Sequence, residues 1–232
     1  MAAESNEKLM LNWFQIQTLK SLQEQQRTGK VEKPLLLKTV ESAICKCFER
    51  ISGSKNADIV FDLDTHRLVL NFESGDGSLQ KFAMDEMSDG YKNTLSMIGD
   101  IAYRMAVLNP MLGDKVLEET SGVVMIDEID LHLHPQWQQT IISDLNTIFP
   151  KIQFIVSSHA PAVINSVAKE QIRILDNGGI YMPAAQTYGR DANSILREVM
   201  KVSERPTDIK QRMNLFYSYM DENNYKEADK VL

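Results

Sequence analysis

Cysteine is nearly absent from this chain: Cys45 and Cys47 are the only two, one residue apart within a helical pattern. Two positions along a helix face different directions, so neither a disulfide nor a shared metal is expected. Both are read as reduced packing residues. Long apolar runs are missing as well: none approaches the ~20 residues of a membrane span. The N-terminus, with Glu4 and Glu7 and no apolar stretch, does not read as a signal peptide. A cytoplasmic protein with no membrane partner is therefore expected. An excess of positive charge is lacking too. The net charge of −7 argues against a dominant nucleic-acid surface, although local basic patches leave nucleic acid open as a partner. No internal repeat or low-complexity linker interrupts the sequence. With 232 residues, 43% hydrophobic and 25% charged, it reads as one globular domain with at most an appendage.

The pattern is helical from about Asn6 to Gln26, with Leu9, Trp13, Ile16, Leu19 and Leu22 forming one apolar stripe. Thr28-Gly29-Lys30 ends it, and Pro34 opens a second helix to about Ile51 with Leu36, Leu37, Val40, Ile44 and Phe48 as its apolar face. The period then changes to two: Ile59, Phe61 and Leu63, then Leu68, Leu70 and Phe72, then Leu79 and Phe82, with turns at Asp64-Thr65-His66 and 74–78. A small antiparallel meander follows from that.

Downstream the order is a helix over about 93–108, a looser stretch 109–121, a strand 122–127, a helix 135–149 opened by Pro135, and a strand 152–156. A short helix follows Pro161, then a strand Ile172–Leu175, a turn at Gly178-Gly179, Ile180-Tyr181-Met182, a helix to about Val202 and a last helix over 207–230. Strands and helices alternating at this spacing imply a parallel sheet with right-handed crossovers.

Three places carry chemistry. Val123-Val124-Met125-Ile126 reads as a buried parallel strand that ends in Asp127-Glu128. Ligands of open α/β sheets sit at such tips. A nucleotide's Mg²⁺ needs a hard oxygen ligand, which Asp127 offers, and a hydrolytic water needs a base, which Glu128 offers. The bland alternative is a solvated strand end. Upstream, Ser88 and Gly90 precede a helix whose N-terminal N–H groups attract phosphate; the alternative is an ordinary serine cap. Downstream, Ser157-Ser158-His159 follows an apolar strand, placing an imidazole at its tip, where it either meets a phosphate or is structural. His132 and His134 lack third and fourth ligands nearby, so no metal is assigned to them. No G-x-x-x-x-G-K-[ST] occurs. Thr28-Gly29-Lys30 and Ser52-Gly53-Ser54-Lys55 lack its glycine, its hydroxyl or both. Half a nucleotide site is present, belonging either to a longer ATPase or to a subunit that receives its phosphate loop from elsewhere.

In order and spacing these motifs, from about Met84 to Val167, resemble the C-terminal half of an ABC-type ATPase: signature loop, Walker B and switch histidine. The resemblance implies an α/β fold, the C-terminal lobe of an ABC-type P-loop NTPase, with flanking helices on a parallel sheet plus an N-terminal helical hairpin and the meander. It divides the chain into a helical arm or lobe (1–57), the meander (58–83), an ATPase core (84–186) and a C-terminal helical segment (187–232). It implies ATP and Mg²⁺ as cofactors, Asp127 on the metal, and Glu128 and His159 as catalytic residues. Ser88, Asp89, Gly90, Tyr91 and Lys92 would meet the nucleotide of the opposite subunit in a dimer. The loop departs from the family pattern: Met87 stands for leucine, Asp89 for the first of two glycines and Tyr91 for glutamine. Asp89 beside a polyphosphate is costly unless it points away or meets a cation.

Asp127-Glu128 followed by Leu133-His134-Pro135 looks like the RecF-, SMC- and OLD-like branch. Met87–Thr94 running into Asp100–Arg104, together with Tyr188–Leu196, is closer still to OLD-related antiphage ATPases of the Septu type and those associated with retrons. That resemblance implies an ATPase, as homodimer or higher oligomer, controlling a partner nuclease or effector. OLD nucleases append a Toprim domain after the switch histidine. Only 73 residues (160–232) follow His159 here, without the acidic cluster, so no nuclease activity is assigned. Arg190 reads as phosphate-facing or as an ion pair with Asp191 or another acid. The rivals are a RecF/SMC-like repair or chromosome ATPase and a non-catalytic interaction module.

Overall fold

The computed structural model describes residues 2–29 and 33–231, with side chains from Lys8 onward; Lys30 of the Thr28-Gly29-Lys30 string lies outside them. The chain divides into two compact units, Met1–His159 and Ala160–Leu232.

The first unit opens with helix α1 (Ala2–Thr28). Its contact face is centred on Phe14, which is fully buried, while Leu9, Ile16, Leu19 and Leu22 of the expected stripe are exposed. The correction has a simple cause. Apolar residues lie on both sides of this helix, and the face holding Phe14, with Trp13 edge-on to Tyr103 at 5.6 Å, is the one that packs. Helix α2 (Leu35–Ser52) buries Leu37, Val40, Ile44, Cys47 and Phe48, close to its expected face. It ends at Gly53, whose φ of 72° lets its N–H reach the Glu49 carbonyl.

Strands β1 (Lys55–Asp62), β2 (Arg67–Glu73) and β3 (Leu79–Ala83) form the antiparallel meander, in that order. Ile59 pairs with Leu70 and Phe61 with Leu68, all four buried. Leu79, opposite Glu73 at the turn end of β3, and Phe82, stacked on Phe72 at 5.8 Å, are exposed instead. A 3₁₀ turn, Met84–Glu86, leads into helix α3 (Asp89–Leu108), whose buried Leu95, Ile98, Ala102 and Met105 belong to the core. After a second 3₁₀ segment and the short helix α4 (Val116–Glu119) comes β4 (Gly122–Ile126), parallel to β5 (Ile152–Val156).

Two differences matter here. The helix expected over 135–149 is two, α5 (Pro135–Gln138) and α6 (Ile141–Ile148). Thr140 breaks it: its N–H closes a tight turn on the Trp137 carbonyl at 3.0 Å, and its own carbonyl then starts α6 by accepting from Asp144 at 2.9 Å. β4 is not buried on both faces. Val124 and Ile126 are half-buried with Phe154 and Val156 of β5, whereas Val123 (59% exposed), Met125 (77%) and Ile155 form an open apolar face. A two-stranded sheet has one covered side in this unit and free outer edges.

In the second unit, α7 (Pro161–Ile164) precedes β6 (Ile174–Asp176) and β7 (Gly179–Tyr181). These two form an antiparallel hairpin of their own rather than extending the parallel sheet. Asn177 (φ 47°) and Gly178 (φ 77°) make the two-residue turn whose twist suits so short a hairpin. Helix α8 (Ala192–Glu198) follows, then α9 (Thr207–Asp221) and α10 (Tyr225–Val231) where one helix was expected. Asn223 adopts a left-handed φ of 57°, and the Asn224 N–H returns to the Tyr219 carbonyl at 2.8 Å, ending α9. Parallel sheet, helices and antiparallel meander make this an α/β fold, as expected. No helix among the described residues is long and apolar enough to cross a membrane.

Candidate functional site

Asp127 and Glu128 leave the C-terminal tip of β4 exposed to solvent, and Ser157, Ser158 and His159 leave the parallel tip of β5 beside it. The two tips are tied together closely. The Ser157 N–H donates to the Ile126 carbonyl at 3.0 Å, and the Ser157 carbonyl accepts from the Ile129 N–H at 3.1 Å. The Ser157 hydroxyl donates to Asp127 Oδ1 and accepts the Glu128 N–H at 2.8 Å. The His159 N–H reaches Asp130 Oδ1 at 3.3 Å. The acidic pair and the histidine therefore stand on one rim.

Glu128 has φ 50°, a left-handed backbone that glutamate seldom adopts, and His132 has φ 65°. Such residues persist only where the surroundings hold them, and they cluster at functional sites. Here Ile129 and Leu133, both buried, anchor the turn from beneath, and the Gln138 side chain donates to the Leu133 carbonyl at 3.2 Å. His134 Nδ1 accepts the Gln136 N–H at 3.3 Å and caps α5, a structural use of this imidazole. Among the described residues no group of three or more His, Cys, Asp or Glu could hold a metal by itself. One exposed carboxylate, half satisfied by Ser157, suits an ion that keeps most of its water, as Mg²⁺ does.

The loop before α3 adjoins this turn. Gly90 is buried, and a Cβ there would lie 2.7 Å from the His132 carbonyl oxygen and 3.3 Å from the Trp137 ring. Gly90 thus has a packing reason independent of any ligand. Tyr91 stacks edge-on to Trp137 at 4.3 Å and contacts Phe48 at 5.8 Å, and burial raises its phenol pKa. Ser88 occupies the N-cap position of α3, yet its side chain makes no capping bond. Asp89 is 83% exposed, with Lys92 Nζ 3.9 Å from its Oδ1, so it both points to solvent and meets a cation. Sequence reasoning missed Ser157 and Asp130. The signal available was the pair of polar residues before His159.

In the second unit, Arg190 forms a two-pronged ion pair with Glu198, at 2.6 and 2.8 Å, which holds that carboxyl below its ordinary range. Asp191 caps α8 through the Ser194 N–H at 3.0 Å. The Tyr188–Leu196 segment is therefore occupied with its own structure, and of the two readings of Arg190 the ion pair is the one realised.

The chain belongs to the family described as "AAA domain, putative AbiEii toxin, Type IV TA system", which matches residues 23–165, a span containing Ser88, Asp127, Glu128 and His159. Among relatives, it is 42% identical over 124 residues to "Retron Vc95 probable ATPase" of Vibrio cholerae serotype O1 biovar El Tor, covering 52% of this chain and 24% of that protein. It is 36% identical over 92 residues to "Septu protein PtuA" of Bacillus mycoides (strain KBAB4), covering 40% of this chain and 12% of that protein. The chain thus spans about a quarter of the retron relative's length or less of the Septu one. These matches meet the likeness to retron-associated and Septu-type antiphage ATPases drawn from the motifs. A solved structure concerned with "ATP-driven dimerization and DNA stimulated activation of SMC ATPases" aligns with a TM-score of 0.42 and 13% identity, over 71% of this chain and 88% of that one.

Proposed function

We propose that this chain supplies the acidic strand tip, the switch histidine and the signature loop of an ATP site, with the phosphate loop coming from outside these 232 residues. The observation that carries the reading is the junction of two parallel strand tips, with Asp127 and Glu128 on one and His159 on the other, locked by hydrogen bonds. The open face of Val123, Met125 and Ile155 supports it, because parallel sheets are ordinarily covered on both sides and a phosphate-loop segment would cover this one.

Mg²⁺–ATP, when bound, supplies the scissile phosphoanhydride and the charge that draws the site together. Asp127 would hold the ion, commonly through water. Glu128, exposed at the strand tip, would accept the proton of the attacking water. His159, exposed at the neighbouring tip, hydrogen-bonds a terminal phosphate oxygen and registers its loss. Ser88, whose hydroxyl makes no cap bond, presents the α3 N-terminus outward to the nucleotide of a facing protomer. Sites built across a dimer make ATP binding and dimerisation one event. The names of the retron and Septu relatives support a role in antiphage defence, where ATP state governs a partner nuclease or effector.

The test uses a protein carrying the phosphate loop together with this chain. Ser88→Arg should fill the gap between loop and phosphate, abolishing ATP-driven dimerisation in light scattering while leaving the monomer folded. Normal ATP-driven dimerisation of that variant removes the loop from the site.

A further inference from the structure

We infer that Ser157 is the positioning residue of the acidic tip: its hydroxyl orients the Asp127 carboxylate and holds the left-handed turn at Glu128. The inference rests on the ATP-site reading for its catalytic consequence, but its geometry stands apart from that reading. Of the four hydrogen bonds that join Ser157 to residues 126–129, two are made by its backbone, to Ile126 and Ile129, and any residue would make them. The other two belong to the hydroxyl alone, which gives its one proton to Asp127 and takes the Glu128 N–H into a lone pair. One side chain on β5 thereby fixes both carboxylate-bearing residues on β4. A hydroxyl can do this because it is donor and acceptor at once; alanine is neither. Asp127 Oδ1 is committed to Ser157, and Glu128 is held in a conformation it does not favour by itself.

Glu128 and Ile129 make the test selective. Their amides are bonded to the hydroxyl and to the carbonyl of the same serine. In the 232-residue chain, Ser157→Ala should raise amide–water exchange at Glu128 about five- to tenfold, the factor a net hydrogen bond carries. Exchange at Ile129 should stay unchanged, and Ser157→Thr should restore Glu128. Unchanged exchange at Glu128, or equal increases at both amides, overturns the inference, since the second pattern is a loosened strand end and not a lost hydroxyl.

With the phosphate loop present, Ser157→Ala should lower kcat for ATP about tenfold with little change in KM, and Ser157→Thr should recover it. If the unsubstituted protein turns over no ATP while the exchange pattern holds, the ATP-site reading fails and the positioning role stands. If turnover is normal and Ser157→Ala alters neither exchange nor kcat, the positioning role fails alone. Should Ser157→Ala not fold, Ser157→Cys, with a weak donor and acceptor of similar size, should give intermediate exchange at Glu128; exchange equal to the unsubstituted chain counts against the inference.

Discussion

Replacing Gly90 by alanine puts one carbon where the backbone has no room. The new Cβ would sit 2.7 Å from the His132 carbonyl oxygen, a backbone atom in a turn that Ile129 and Leu133 anchor in the core, and 3.3 Å from the Trp137 ring. Forcing a methyl into a packed site costs about 1–3 kcal/mol. Alanine in place of glycine in a helix returns up to about 1 kcal/mol, and less in a first turn. The net expectation is a loss of about 1–2 kcal/mol, or several degrees in Tm at this chain length. Gly99, on the same helix, is the control. Its Cβ would meet Ile44 Cδ1 at 3.2 Å, the end of a side chain that can move, so the helical gain offsets the crowding and Gly99→Ala should be neutral within ~0.5 kcal/mol. Urea unfolding followed by tryptophan fluorescence suits both, because Trp13 and Trp137 both lie in the Met1–His159 unit with the two glycines. A Gly90→Ala protein as stable as Gly99→Ala refutes the close packing of the loop before α3 on the His132 turn.

Other outcomes follow from burial and charge. Asp144 is 4% exposed at its side chain, and its Oδ1 meets Arg50 Nε at 2.5 Å, while Oδ2 has no hydrogen-bond partner. Arg50→Leu strands that carboxylate and should cost about 3 kcal/mol, whereas Arg50→Leu with Asp144→Leu should cost clearly less; thermal unfolding of the two decides. Burial pushes the Cys47 thiol up to about 12 from an ordinary value near 9. The folded state therefore keeps a proton that the unfolded chain releases above pH 9, and stability should fall by about 1.4 kcal/mol per pH unit from there towards 12, a slope that Cys47→Ala reduces in urea titrations.

Much of the first unit was legible. Pro34 and the α2 stripe mark a helix, and the alternating Ile59 and Phe61, then Leu68, Leu70 and Phe72, gave the meander, although Val69 on the other face of β2 is buried as well. The motif order gave the strand tips because Asp127-Glu128 and His159 follow apolar strands of ordinary length. What stayed hidden depended on tertiary choice. Apolar residues on both sides of α1 do not say which side packs, and only the structure selects Phe14. The break at Thr140 comes from a single turn that a helical pattern masks, and the strand, turn and strand read around Gly178 did not say that β6 and β7 pair only with each other. The four hydrogen bonds of Ser157 join residues about 30 positions apart, and nothing local to Ser157 announces them.

The role proposed for Glu128 is that of the base in an ATP site that this chain only completes. The most direct measurement is ATP turnover and nucleotide binding by three proteins: the 232-residue chain, the same chain joined to a phosphate-loop segment, and that joined protein with Glu128→Gln. The chain alone should turn over no ATP, the joined protein should hydrolyse it, and Glu128→Gln should lower kcat by about 10²–10⁴-fold with binding retained. Turnover of ~1 s⁻¹ or faster by the chain alone, or undiminished turnover by the Glu128→Gln protein, contradicts the claim.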